Sequence, residues 1–90
     1  MEIGARIIVK GLVQGVGFRY FVLRKASPLG LKGIVRNRFT GEVEIEVEGE
    51  RSLIEELIRD VRIGPRSAQV KDLSIEWMAY QNQFSEFTID

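Results

Sequence analysis

The chain has 90 residues, 13 basic and 13 acidic side chains, 44% hydrophobic residues, and neither histidine nor cysteine. That composition excludes a disulfide, a thiolate nucleophile, a Ser/His couple and a Cys/His zinc cage. A domain of this length buries only about 60–65% of the surface its unfolded form exposes, so most of the apolar residues must serve one core.

In chain order, residues 5–10 place Ile7 and Val9 on one face and Arg6, Ile8 and Lys10 on the other, which predicts a strand. From Phe18 the spacing turns helical, with Phe18, Phe21, Val22, Ala26 and Leu29 on one stripe. Pro28 removes an amide donor and Gly30 suits a left-handed cap, so the helix is expected to stop there. Residues 32–38 and 42–48 read as a hairpin around Arg38-Phe39-Thr40-Gly41, with Gly41 supplying a positive φ. In its second arm Val43, Ile45 and Val47 alternate with Glu42, Glu44, Glu46 and Glu48, predicting one buried and one wet face. Ser52 to Glu55 has capping-box spacing, and Ile54, Leu57, Ile58 and Val61 then predict a second amphipathic helix, ended by Gly64-Pro65. Leu73, Ile75 and Trp77 alternate in a fourth strand; Val70 is out of phase with them, which predicts a bulge near Lys71-Asp72. Phe84, Phe87 and Ile89 allow a short last strand.

This order predicts one α+β domain over residues 1–90: a ferredoxin-like βαββαβ sandwich, its antiparallel sheet carrying two helices on one face, with a short extra C-terminal strand. The glutamate row is then expected in water opposite Arg6, Lys10, Lys32, Arg36 and Arg38, each exposed pair contributing about 0–1 kcal/mol to register and solubility. A calcium site built from the four carboxylates is the competing reading of that row. The N-terminus shows no signal pattern and no apolar run approaches the roughly 18 residues that span a bilayer, so the expectation is a soluble, cytoplasmic protein with no membrane partner.

The zero net charge covers an asymmetry: residues 3–41 carry eight basic side chains and no acid, whereas residues 42–90 carry twelve acids and five basic residues. An anionic ligand would be drawn to the first half. There Gly11-Leu12-Val13-Gln14-Gly15-Val16-Gly17-Phe18-Arg19 joins the first strand to the first helix. Glycines let successive amides turn toward one point, a helix start presents unpaired N–H groups, and Arg19 adds a planar charged fork, an arrangement suited to a tetrahedral oxyanion. No Gly-Lys-Ser/Thr follows, and Gly15-x-Gly17 falls short of a dinucleotide fingerprint. On these residues alone the segment reads equally as an anion cradle or as a glycine-rich connection with Arg19 solvated.

Val13-Gln14-Gly15-Val16-Gly17-Phe18-Arg19 resembles the signature of the acylphosphatases, and Gly33-Ile34-Val35-Arg36-Asn37-Arg38-Phe39-Thr40-Gly41-Glu42-Val43-Glu44 resembles that family's second signature. The likeness continues through Ala26-x-x-Leu29-Gly30-Leu31-x-Gly33, Glu48-Gly49, Gly64-Pro65 and Phe87-x-Ile89, so it covers nearly the whole chain. The resemblance implies hydrolysis of acyl phosphates to a carboxylate and inorganic phosphate without a metal or cofactor. It implies that the backbone amides of Gln14, Gly15, Val16, Gly17, Phe18 and Arg19 cradle the phosphate, that Arg19 binds and orients it, and that Asn37 positions the attacking water. Without the resemblance Asn37 reads as a turn residue before the hairpin, Arg24 and Lys25 as solvated, and Phe18, Tyr20 and Phe21 as core and rim. Arg38, beside Asn37, is a candidate for steering the acyl group.

Three residues depart from the family pattern. Ile34 stands where tryptophan is common, Thr40 where aspartate is common before the turn glycine, and Glu42 where a small hydroxyl residue is common. The expectation at Glu42 is a carboxylate close enough to disturb Asn37 or repel substrate. The implied partner is a small-molecule acyl phosphate substrate, and the expectation is a monomer. The alternatives are an acylphosphatase-like domain that binds a phosphorylated metabolite such as carbamoyl phosphate with little turnover, and single-stranded RNA binding on the open sheet. The glutamate row and the missing RNP1 aromatics argue against RNA. A larger hydrogenase-maturation enzyme carries a similar N-terminal domain; the chain's end at Asp90 sets the expectation of a free-standing protein.

Overall fold

The computed structural model describes residues 1–90. The elements are β1 (Glu2–Leu12), α1 (Phe18–Ala26) running into a 3-10 turn (Ser27–Leu29), β2 (Lys32–Asn37), β3 (Val43–Glu50), α2 (Arg51–Ile63), β4 (Gln69–Met78) and β5 (Phe87–Ile89). The sheet order is β4-β1-β3-β2-β5. The first four strands are antiparallel neighbours, as expected, and β5 joins β2 in parallel, which makes the sheet mixed.

The core follows from the strand alternation. Ile7, Ile45 and Val35 lie across from one another on β1, β3 and β2. All three are fully buried beneath Phe18, Val22 and Ala26 of α1 and Ile54, Leu57 and Val61 of α2. Each such large aliphatic side chain contributes about 1.5–3 kcal/mol of burial. Helix α1 ends where Pro28 and Gly30 predict: Gly30 adopts φ 71° and its N–H donates to the Ser27 carbonyl at 3.0 Å.

The bulge in β4 is present. Lys10 faces Asp72 while Gly11 faces Val70, which leaves Lys71 as the extra residue and returns Val70 to the core side. Gly11 meets it at φ 132°, and a Cβ there would stand 2.1 Å from the Gln69 carbonyl oxygen, so only glycine fits.

Two local expectations need correction. Ser52 does not cap α2. Strand β3 runs straight into the helix with Glu50 at the N-cap, and no side chain caps it. The Arg51 N–H instead donates to the Met1 carbonyl at 2.9 Å, and the Glu50 carboxylate pairs with the terminal amine. The glutamate face is also not uniformly wet, since Glu44 is only 7% and Glu48 only 5% exposed.

The pairing expected there largely forms. Arg6 Nε meets Glu44 at 2.9 Å, Lys10 meets Glu42 at 3.8 Å, and Arg36 lies between Glu44 at 3.7 Å and Glu46 at 3.4 Å. Arg38 reaches Glu42 at 3.5 Å and Glu44 at 4.0 Å. Lys32, opposite Glu48 in register, forms no ion pair. The Glu48 carboxylate instead accepts main-chain N–H bonds from Gln81 (2.9 Å), Gln83 (2.7 Å) and Phe84 (3.4 Å). With arginines and amides occupying these oxygens, the row is no calcium site, and no group of three or more metal-ligating side chains exists.

Candidate active site

The antiparallel order β1-β3-β2, followed by parallel β5, brings the C-terminal ends of β1, β2 and β5 to one edge of the sheet. The N-terminus of α1 sits at that same edge, because only residues 13–17 separate it from β1.

The connection is pinned at both ends and bent between them. Val13 and Phe18 are buried, and the Val16 carbonyl accepts the Ser67 hydroxyl at 3.0 Å. Gly15 and Gly17 take φ 73° and 75° with open space where a Cβ would lie. That conformation costs an ordinary residue about 1–2 kcal/mol, so glycine is required for the backbone's shape rather than for room. Gly17 is the N-cap of α1 and supplies no side-chain cap. The first helical bond runs from Phe21 N to Gly17 O at 3.0 Å, and the amides of residues 14–20 donate to no backbone carbonyl. A run of unpaired N–H groups at a bent helix start is an arrangement suited to an anion.

Arg19, half-buried in the first turn of α1, donates from Nη1 to the main-chain oxygen of Asp90 at 2.9 Å. Asp90 is held in turn by its own N–H, which donates to the Val35 carbonyl at 3.0 Å, extending β5 along β2. Two residues further along β2 stands Asn37, exposed and paired with Val43. Residues facing each other across antiparallel strands project to the same side, and Val43 is fully buried. Asn37 therefore projects to the helix side of the sheet, the side that carries Arg19. The loop reaches this arm directly, since Gln14 Nε2 donates to the carbonyls of Arg38 at 2.6 Å and Glu42 at 2.9 Å.

The chain fits a family model described as Acylphosphatase over residues 5–89. It is 47% identical over 83 residues to an acylphosphatase of Chlorobaculum tepidum, covering 92% of this chain and 90% of that one. The crystal structure of the Bacillus subtilis acylphosphatase superposes with a TM-score of 0.94 at 39% identity, covering 98% of each chain. The chain belongs to the acylphosphatase family. It is similar also to full-length HypF crystallised in a phosphate- and nucleotide-bound form, with a TM-score of 0.91 and 35% identity, but there the match spans 12% of the larger chain.

Within this acylphosphatase fold, Glu42 and Arg38 stand apart from Asn37. Their neighbours in the ion-pair network, Arg36, Glu44 and Lys10, place them on the open face, opposite the side to which Asn37 projects. The Glu42 carboxylate is held by Lys10, Arg38 and the Thr40 hydroxyl at 3.1 Å. The expected interference at Asn37 has no geometric basis, because alternation along the strand turns the side chain away. Arg38 is likewise engaged with Glu42 and Glu44 rather than turned toward a substrate beside Asn37. The largest surface groove, about 330 Å³, lies on that open face between Arg6, Ile8, Arg38, Ser74 and Glu76. Sequence reasoning missed the Asp90 main-chain oxygen that fixes Arg19 and the side chain of Gln14. Neither has a local signal, since each partner lies 24–71 residues away.

Proposed function

We propose that this chain hydrolyses the carboxyl–phosphate bond of acyl phosphates by direct attack of water, using the amides of residues 14–19, Arg19 and Asn37. The observation that carries this reading is the convergence, at one sheet edge, of unpaired amides, an anchored guanidinium and an exposed carboxamide on the same side. The amides and Arg19 hold the phosphoryl oxygens and stabilise their charge as the bond to the acyl oxygen lengthens. Asn37 accepts a hydrogen bond from water and aims its oxygen at phosphorus. The carboxylate leaves unprotonated, since its conjugate acid has a pKa of roughly 4, so no histidine acid is needed. A phosphate oxygen of the substrate takes the proton of the water.

The substrate is a small molecule met by a cytoplasmic monomer, one domain carrying the whole site. Supporting this, no helix is long and apolar enough to cross a membrane, and the open face presents arginine-paired glutamates rather than the aromatics that stack RNA bases. The likeness to a segment of HypF favours a second reading, binding of a phosphorylated metabolite with little turnover. Hydrolysis of benzoyl phosphate in EDTA separates the two. Turnover that falls at least about 100-fold in Asn37→Ala, with inorganic phosphate still binding, fits the hydrolytic reading. Phosphate binding without wild-type turnover supports the second.

A further inference from the structure

The side chain of Gln14 does something the main-chain cradle does not. The hairpin after β2 closes on itself through Arg38 N to Glu42 O at 2.7 Å and Gly41 N to Arg38 O at 3.0 Å. Gln14 Nε2 donates to both of these carbonyls, at 2.6 and 2.9 Å, so its two hydrogens are spent on the two acceptors that form the hairpin mouth. The residue whose amide opens the phosphate loop thereby grips the hairpin one residue beyond Asn37. No other side-chain hydrogen bond joins residues 13–17 to β2, β3 or the turn between them.

Building on the hydrolytic reading, we propose that Gln14 is a positioning residue that sets the separation between the phosphate loop and the water-orienting Asn37. A carboxamide suits this task because it offers two coplanar N–H donors on one nitrogen. An ionised carboxylate would set two acceptors against two carbonyls, and a methionine would offer no donor at all. Without the clamp, the loop keeps its own anchors at Val13, Phe18 and the Ser67–Val16 bond, and the hairpin keeps its ladder to β3. Each half stays folded and the register between them loosens. Gln14 thus governs how well phosphorus and water are aligned, and phosphate affinity belongs to the amides and Arg19.

The test compares wild type, Gln14→Met and Gln14→Glu. In Gln14→Met, kcat for benzoyl phosphate is expected to fall about 10- to 100-fold, the cost of misplacing reacting groups by about an ångström. The inhibition constant of inorganic phosphate is expected to stay within about threefold, and exchange of the Arg38 and Gly41 amides to quicken at least about tenfold. In Gln14→Glu, protection of those amides relative to wild type is expected to recover as pH drops below the ordinary carboxyl range near 4.3, where the protonated acid supplies one donor. Unchanged exchange at Arg38 and Gly41 in both variants overturns the clamp whether or not the wild type is active. An unchanged kcat overturns its catalytic role, and equal losses in kcat and phosphate affinity show collapse of the cradle, which also overturns it. A wild type without turnover defeats the hydrolytic reading alone, because the exchange arm still judges Gln14.

Discussion

Replacing Glu48 by glutamine tests how the far edge of the sheet supports the site. The Glu48 carboxylate is 5% exposed and gathers the amides of Gln81, Gln83 and Phe84, two on Oε1 and one on Oε2. Glutamine can keep its oxygen toward Gln83 and Phe84, but its NH2 group then faces the Gln81 N–H. One charge-assisted bond worth about 1.5–3 kcal/mol becomes a donor–donor contact, and the others lose their ionic share. A loss of about 2 kcal/mol is expected, which for a domain of this size lowers Tm by about 8–16 °C. The damage should be local first, because this segment feeds β5, and β5 leads into Asp90, whose main-chain oxygen holds Arg19. Thermal and urea unfolding give the magnitude, and hydrogen exchange locates it. Faster exchange at residues 81–84 and 87–89 with an intact β1–β3 ladder is expected. A Tm within about 2 °C of wild type, or exchange rising uniformly across the sheet, would refute this role for Glu48.

Two further expectations follow from where charge lies. Glu42→Ser should leave kcat/KM for benzoyl phosphate within about threefold of wild type, since the carboxylate is paired with Lys10 and Arg38 on the face opposite Asn37; a tenfold rise would return Glu42 to the site. The chain has no histidine or cysteine, the side chains that ordinarily titrate near neutrality, and the terminal amine is paired with Glu50 at the other end of β1. The kcat profile should therefore be flat between about pH 6.5 and 8.5, and an inflection there that persists with a second substrate would show an ionising group in the mechanism.

Most of the architecture is written locally. Alternation in residues 43–47, the helical stripe through Val61, the Pro28/Gly30 stop and the out-of-phase Val70 each have a nearby cause, and the structure keeps all four. What escaped the sequence is set by partners distant along the chain. Ser52 loses the cap position because β3 continues to Glu50, where the Met1 amine and carbonyl engage Glu50 and Arg51. Glu44 and Glu48 read as wet by alternation, yet Arg6, Arg36 and Arg38 from two neighbouring segments fold over one, and the 81–84 connection folds over the other. At the site, the glycines and Arg19 mark a candidate anion cradle locally, whereas the Gln14 and Asp90 contacts exist only once β2 and β5 have been placed beside the loop.

Hydrolysis of benzoyl phosphate, followed by its ultraviolet absorbance in EDTA, for wild type beside Arg19→Ala, bears most directly on the proposed chemistry. Losing one preorganised charged donor at a transferring phosphoryl group should lower kcat/KM by at least about 100- to 1,000-fold, with the variant folded and the metal chelator without effect on wild type. Turnover in Arg19→Ala within tenfold of wild type, or wild-type activity abolished by EDTA, would contradict it.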